Sequence, residues 1–512
     1  MNLIATRTQY LRNLFSGYGL MVAEVAVAFL LTPFIIGQLG AAAYGIWSLM
    51  ISVIGYMGLV DVGIRGSVGR YINHYLARND RQAVDEVVGT STLVLTGLAS
   101  LAGLASFVVA HYFQLLFAKT PDDLLGDVRF ALPMMALGLW LSFVGSIVGN
   151  IVAAREQTYL SNAFGLALLI VRTGAIVVVL GQGHGIKALV LVNTAMSAIG
   201  VVLNVVLLKY LFGAATPRFL LFSASRLREI WRYSLASITS RTASTMANDS
   251  APIIGMWLLG PEAVAIYSVA MTLTQHGRRL IDQANASIFP SVMRLGSVKD
   301  LAGLREVYLR YLDISFAIGS LVMIGLMVLS GDFLRLWVGP EYAAGAIAVA
   351  ILGFGYLMQS VASTANLTLA SLDRIGITVK IGIGEALACV VLTALLPGVF
   401  GLGLAGLALG TTLPRLFTSL VLYPRLAIGV LGPELKAPMF AGLRRNLLFC
   451  VGMLVLFVAA HAALPGTTWG RLTLATALVT ALHLAWVSSR HIALPGIGDA
   501  AGRLRAFVFR RS

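Results

Sequence analysis

The sequence predicts an all-α integral membrane protein, with about fourteen transmembrane helices in two parallel six-helix lobes plus two C-terminal helices. Three observations carry this. Hydrophobic residues make up 58% of the 512-residue chain and charged residues only 12%, with a mean hydropathy of +0.86. Soluble chains carry about 25% charged residues. So little charge cannot cover the surface of a water-soluble protein of this size, which excludes a cytosolic enzyme, a secreted domain and a disordered chain. The apolar residues are also segregated: 25–60, 87–118, 342–372 and 386–414 contain no Asp, Glu, Lys or Arg, and about 20 such residues cross a bilayer as a helix. Finally, Leu39–Ser48 matches Leu259–Ser268 at Leu, Gly, Ala, Ile and Ser, with Trp47 against Tyr267. Each copy joins the first span of a group of six to the second. Six is even, so both copies share one orientation, and parallel-repeat transporters place their substrate between the repeats.

The elements follow in order. Charged or Pro/Gly-rich breaks bound spans at 14–36, 44–66, 87–113, 129–153, 158–180 and 187–210, which form an N-terminal lobe, 1–210. Residues 211–231, with Arg218, Arg226 and Arg228, read as a cytoplasmic linker. Spans at 232–258, 262–288, 309–330, 343–370, 376–396 and 402–422 form a second lobe, 232–430. Two extra spans, 443–463 and 470–488, and a basic tail complete 431–512.

The net charge of +15 would suggest nucleic acid in a soluble chain. Here it sorts by side, and no nucleic-acid partner is expected. Of the 37 Lys and Arg residues only Lys119, Arg129, Lys187, Arg335 and Arg471 fall in or beside the segments of one face. Cytoplasmic loops collect Lys and Arg, so both termini are expected in the cytoplasm. Arg7 and Arg12 precede an apolar stretch too long for the h-region of a cleavable signal peptide. Cys389 and Cys450 lie inside spans without metal-ligand spacing and read as small buried residues; no metal or cofactor is expected.

Polar residues inside spans mark cavities or pathways by default, because charge in a bilayer is costly. Arg241, Thr245, Asn248 and Pro252 recur every three or four residues along span seven, with Asp249 beside them. Gln275, Arg278 or Arg279, Asp282 and Asn285 do the same on span eight, and Gln359, Ser363 and Asn366 on span ten. In the first lobe Glu24 and Arg172 lie about midway along spans one and five, and Asp61 and Arg65 near the inner end of span two; Arg415 lies within span twelve. The competing reading is snorkelling to the headgroups for Arg65, Arg278 and Arg279, an interhelical ion pair for Glu24 and Arg172, and helix-packing contacts for Asn150, Asn193 and Asn204. Gly401–Gly406 satisfies GxGxxG, but no strand or acidic partner frames it, so close helix packing is the better reading. No HExxH and no Ser/His/Asp set is apparent.

Several segments resemble the polysaccharide-exporter branch of the multidrug/oligosaccharidyl-lipid/polysaccharide exporter superfamily, which includes the Wzx-type O-antigen and exopolysaccharide flippases. Thr32–Ile36 with Leu39–Trp47 looks like its first hairpin, and Gly58–Ile64 like the Gly-rich end of its second helix. Gly260–Ala270 with Ile288-Phe289-Pro290 resembles its eighth helix, and Leu336–Tyr342 the turn between its ninth and tenth. The likeness covers roughly residues 10–430, and none of these motifs is catalytic.

The resemblance implies a flippase, not an enzyme. It would move an undecaprenyl-diphosphate-linked oligosaccharide to the outer leaflet of the bacterial inner membrane by alternating access. Membrane lipids, a polysaccharide polymerase and a chain-length regulator would be its partners. A diphosphate in a low-dielectric cavity needs cationic hydrogen-bond donors. The candidates are Arg65, Arg241, Arg278 and Arg279, with Gln275, Asn248, Gln359 and Asn366 for polar contacts. Related drug exporters couple through acidic residues, so Glu24, Asp61 and Asp249 are the candidates for H⁺ or Na⁺ coupling. The alternatives are a multidrug/cation antiporter using Glu24 and a membrane glycosyltransferase or polymerase. So many arginines would repel organic cations, and no outer loop is long enough to carry catalytic groups.

Overall fold

The computed structural model describes residues 7–153, 157–213, 217–464 and 466–489, without some side chains inside helices, among them those of 60–63 and 284–287. All regular structure in the described residues is helical. The first helices are α1 (Arg7–Leu39), α2 (Ala41–Met57), α3 (Leu59–Ala77), α4 (Arg81–His111), the single turn α5 (Phe113–Leu116) and α6 (Asp122–Ala153). Then come α7 (Thr158–Gly181), α8 (Ile186–Phe212), α9 (Ala224–Leu258), α10 (Pro261–Ser297), α11 (Leu301–Gly319) and α12 (Gly325–Trp337). The last are α13 (Ala346–Ser371), α14 (Ile375–Gly398), α15 (Gly403–Phe417), α16 (Tyr423–Leu431), α17 (Lys436–Ala463) and α18 (Trp469–Ser489). Short π-helical turns, Ser320–Ile324 and Thr418–Leu422, join α11 to α12 and α15 to α16. Ten helices in the described residues are long and apolar enough to cross a membrane. The predicted class, an all-α polytopic membrane protein, is the observed one.

Some boundaries differ from those expected. The span expected at 44–66 is two helices meeting at Gly58 and running on to Ala77. The expected linker 211–231 is shorter, because α9 begins at Ala224. Arg226 and Arg228 signal the end of the apolar block, but arginine is a good helix former and does not stop a helix. The side chains of Asp61 and Asn285, residue Arg155 and the arginines of the tail after 489 lie outside the described residues.

The repeat seen in the sequence recurs in the backbone at the same offset of 220. Gly40 and Gly260 (260 − 40) open α2 and α10 at φ 80° and 100°, where a side chain would be strained. Asn79 and Lys299 (299 − 79) share φ near 55°, at 56° and 54°. The next residue in each copy, Asp80 and Asp300, caps the following helix by accepting from the backbone N–H three residues on, Ala83 or Gly303.

The chain divides into two compact units, Met1–Ala265 and Ile266–Ser512. The first has one apolar core of α3, α4, α6 and α8, with Val68, Ile72, Val87, Ile151 and Leu208, and another around Ile46, Leu49, Phe113, Val128 and Leu132. Helix α9 packs against α2, α3 and α4 in this unit, and the buried Ser67 and Ser234 hydroxyls lie 2.6 Å apart between α3 and α9. The core of the second unit gathers Tyr308, Tyr311, Ala365, Leu369, Ala427 and Leu431. Its α14–α15 hairpin is closed by small residues: a Cβ on Gly406 would lie 2.7 Å from Pro397 N, and one on Gly410 2.4 Å from Thr393 Cα. The last glycine of the apparent GxGxxG therefore serves helix packing. Cys389 and Cys450 are buried, free thiols.

Candidate functional site

The first unit carries an open cavity of about 720 Å³ lined from α1, α3, α6, α7 and α8. Its charged residues are Glu24, Arg65 and Arg172. Glu24 stands near the middle of α1 and Arg172 near the middle of α7, both in helices apolar enough to span a membrane. Polar groups fill out the wall: Ser142 and Ser146 from α6, and Asn193, Ser197 and Asn204 from α8. Small residues, Gly145, Gly165 and Gly200, make the room.

Several contacts fix these side chains. Asn150 Nδ2 donates to the Arg65 carbonyl at 3.1 Å and so ties α6 to α3, the packing role expected of it. Asn193 and Asn204 instead donate back into α8, to Leu189 O at 2.7 Å and Gly200 O at 2.9 Å, and line the cavity. Asn13 accepts from the Tyr159 N–H at 3.0 Å, and Asn162 donates to Ser16 at 3.0 Å, seating α1 on α7. Among the described residues no ion pair joins Glu24 to Arg172, and the buried Arg172 Nε has no hydrogen-bond partner. The described lining of the cavity carries two guanidinium groups, one carboxylate and a set of amides and hydroxyls. That suits a polyanion carrying hydroxyl groups.

Arg241 is exposed on α9 and does not line this cavity. On the same helix Asn248 donates to Ser244 O at 2.7 Å, and Asp249 is half-buried. At the start of α9, Arg226 pairs with Glu86 at 3.1 Å and Glu229 at 3.2 Å and lies 4.6 Å over the Tyr75 ring. Burial lowers the pKa of this guanidinium, but its hydrogen bonds to Glu86 and Glu229 outweigh that and hold it above the ordinary arginine value. Burial, followed by the hydrogen bond to Glu229, raises that of Tyr75.

The second unit holds its charge differently. Arg278 bonds Asp282 one turn on, at 3.2 Å, and its guanidinium stands 5.1 Å from the Tyr356 ring centre. Arg415, only 2% exposed, lies 4.9 Å from the same ring and 3.8 Å from Glu385. Thr418 donates to the other Glu385 oxygen at 2.5 Å, at the start of the π turn. Gln359 is half-buried with its Oε1 sealed and unpartnered; Gln275 and Asn366 are half-buried and Arg279 is exposed. The sequence reading missed Tyr356 and Glu385 and left Arg415 and Arg172 outside the candidate set. A signal existed, because Glu385 and Arg415 bracket a charge-free block, which puts both inside the apolar stretch.

Membrane-spanning helices around a charged cavity define a multi-pass membrane transporter, and the fold agrees. It is similar to that of the lipid II flippase MurJ in an inward closed conformation, with TM-score 0.70 at 12% identity over 92% of this chain and 99% of that one. It is also similar to an inward-facing multidrug resistance MATE transporter of the MOP superfamily, with TM-score 0.65 at 15% identity over 79% and 94%. Among curated proteins, a probable flippase, AglR, of Haloferax volcanii is 22% identical over 409 residues, 79% of this chain and 80% of its own length. The membrane protein EpsK of Bacillus subtilis is 22% identical over 333 residues, 65% of this chain and 66% of its own length. Residues 11–295, more than half of the chain, match the family described as polysaccharide biosynthesis protein, and the chain belongs to it. It is thus a polysaccharide exporter or flippase of the superfamily that its motifs resemble, a transporter and not an enzyme.

Proposed function

We propose that the chain flips an undecaprenyl-diphosphate-linked oligosaccharide from the inner to the outer leaflet of a bacterial cytoplasmic membrane by alternating access, for surface or secreted polysaccharide. The supporting observation is the cavity of the first unit, where Arg65 and Arg172 stand with Glu24 among amides and hydroxyls. Planar guanidinium groups bind phosphate oxygens bidentately, and amides and hydroxyls suit a saccharide. Two similar proteins are named as flippases. In this reading Arg65 and Arg172 hold the diphosphate and Glu24 carries the coupling proton or cation. Both termini face the cytoplasm, and a polymerase and chain-length regulator act downstream.

The test is flipping of a lipid-linked oligosaccharide in vesicles at matched protein levels. Removing one charge-assisted contact costs about 1.5–3 kcal/mol, so Arg65→Ala and Arg172→Ala should each bind substrate roughly ten- to a hundredfold more weakly. Lysine should rescue them only in part. Glu24→Gln should insert normally and flip without dependence on the ion gradient. Wild-type rates for both lysine variants would leave the arginines as membrane anchors, and unchanged gradient dependence would make Glu24 structural.

A further inference from the structure

The second unit carries a groove of about 940 Å³ between α11 and α17 that the transport reading does not use. Leu309, Leu312, Leu448 and Phe449 give it apolar surface, and Arg444, Arg445 and Asp313 line it with charge. Arg445 is bonded to Asp313, whose other oxygen accepts from Asn446 Nδ2 at 2.9 Å. Arg444 is exposed and, among the described residues, is joined to no carboxylate. Two guanidinium groups against one carboxylate leave this part of the groove positive. From there the apolar lining runs along α17 to Gly452, eight residues from Arg444, or about 12 Å at the helical rise. A soluble anion would leave that lining in contact with water. A neutral lipid would leave Arg444 without a counter-charge.

We infer that the groove binds an anionic diacyl phospholipid, its phosphate at Arg444 and Arg445 and its acyl chains over the apolar surface. Basic pockets between transmembrane helices recognise anionic headgroups in this way. In the orientation drawn from the loop charges, Arg444 and Arg445 lie in the cytoplasmic leaflet, near the start of α17 at Lys436. The site is independent of what the chain transports. Its volume, near the upper end of the roughly 300–1,000 Å³ usual for ligand cavities, accommodates a headgroup and the upper part of two chains.

The experiment is thermal unfolding and native mass spectrometry of the full chain in detergent, titrated with phosphatidylglycerol or with phosphatidylcholine of the same acyl chains. Phosphatidylglycerol should raise the melting temperature with concentration, and phosphatidylcholine should not. Arg444→Ala should weaken phosphatidylglycerol binding about fivefold, the worth of one basic side chain at a headgroup, and Arg444→Lys should keep it. A Cβ at Gly452 meets nothing within 4 Å, so Gly452→Leu should narrow the groove and weaken binding without unfolding the protein. Equal responses to the two lipids, or unchanged phosphatidylglycerol affinity in both Arg444→Ala and Gly452→Leu, would overturn the site. An equal response to inorganic phosphate, or binding of undecaprenyl phosphate that phosphatidylglycerol does not compete away, would overturn the choice of occupant.

Discussion

The buried pair Arg415–Glu385 allows the sharpest test of how the second unit tolerates charge. Arg415 is 2% exposed and Glu385 14%, with 3.8 Å between Nε and Oε1. The Thr418 hydroxyl and the Tyr356 ring complete the surroundings. Breaking such a pair by removing one partner leaves an uncompensated buried charge and costs about 3–5 kcal/mol. Losing the contact with Tyr356 adds up to about 2 kcal/mol for Arg415 alone. At about 2–4 °C per kcal/mol, Glu385→Leu should lower the melting temperature of the detergent-purified protein by roughly 6–20 °C and Arg415→Met by roughly 6–28 °C. The double variant should recover most of that, because it removes both desolvation penalties together. Native-like melting of either single variant would refute the pair. So would a double variant whose loss equals the sum of the two, since residues in contact must couple.

Other tests follow from the same geometry. Cysteines at His184 and Thr467, both exposed, should react with an impermeant thiol reagent in intact cells, and one at Ser225 should not; His184 is preferable to Gly183, whose φ of 82° would strain a cysteine. Gly410→Ala should cost about 1–3 kcal/mol by forcing α15 off α14, whereas Gly384→Ala on α14, with nothing near its Cβ, should be neutral or better in melting assays. Arg226→Ala strips the counter-charge from Glu86 on α4 and Glu229 on α9 and should lower stability by about 1–2 kcal/mol. That loss should shrink in high salt, since the group is partly exposed.

What the sequence revealed follows from the kind of signal each feature leaves. Apolar blocks give spans directly, because the bilayer leaves helices few alternatives. Hence α4, α7, α8 and α14 fall close to their expected bounds. The repeat was legible because Gly40 and Gly260 must adopt φ values that few other residues tolerate. Pairing was not legible. Spacing placed Arg278 and Asp282 on one face of α10, but two groups one turn apart satisfy each other as readily as they face a ligand. Glu24, Arg65 and Arg172 come from three helices far apart in sequence, and only packing through Asn150, Asn162 and the glycines brings them to one cavity. Asn193 and Asn204 read as packing residues because a periodicity count cannot tell a cavity wall from a helix contact.

The charge of that cavity also bears on what it can carry. Its described lining sets two guanidinium groups against one carboxylate, Glu24. At an effective dielectric constant of about 20 and a separation of about 6 Å, each unit of charge is worth roughly 3 kcal/mol. This charge balance disfavours an organic cation and suits an anion such as the proposed diphosphate. Glu24→Gln, which removes the one carboxylate of the described lining, should accordingly strengthen binding of the lipid-linked diphosphate. A substrate affinity that falls in Glu24→Gln would show that the charge at Glu24 acts elsewhere in the cycle.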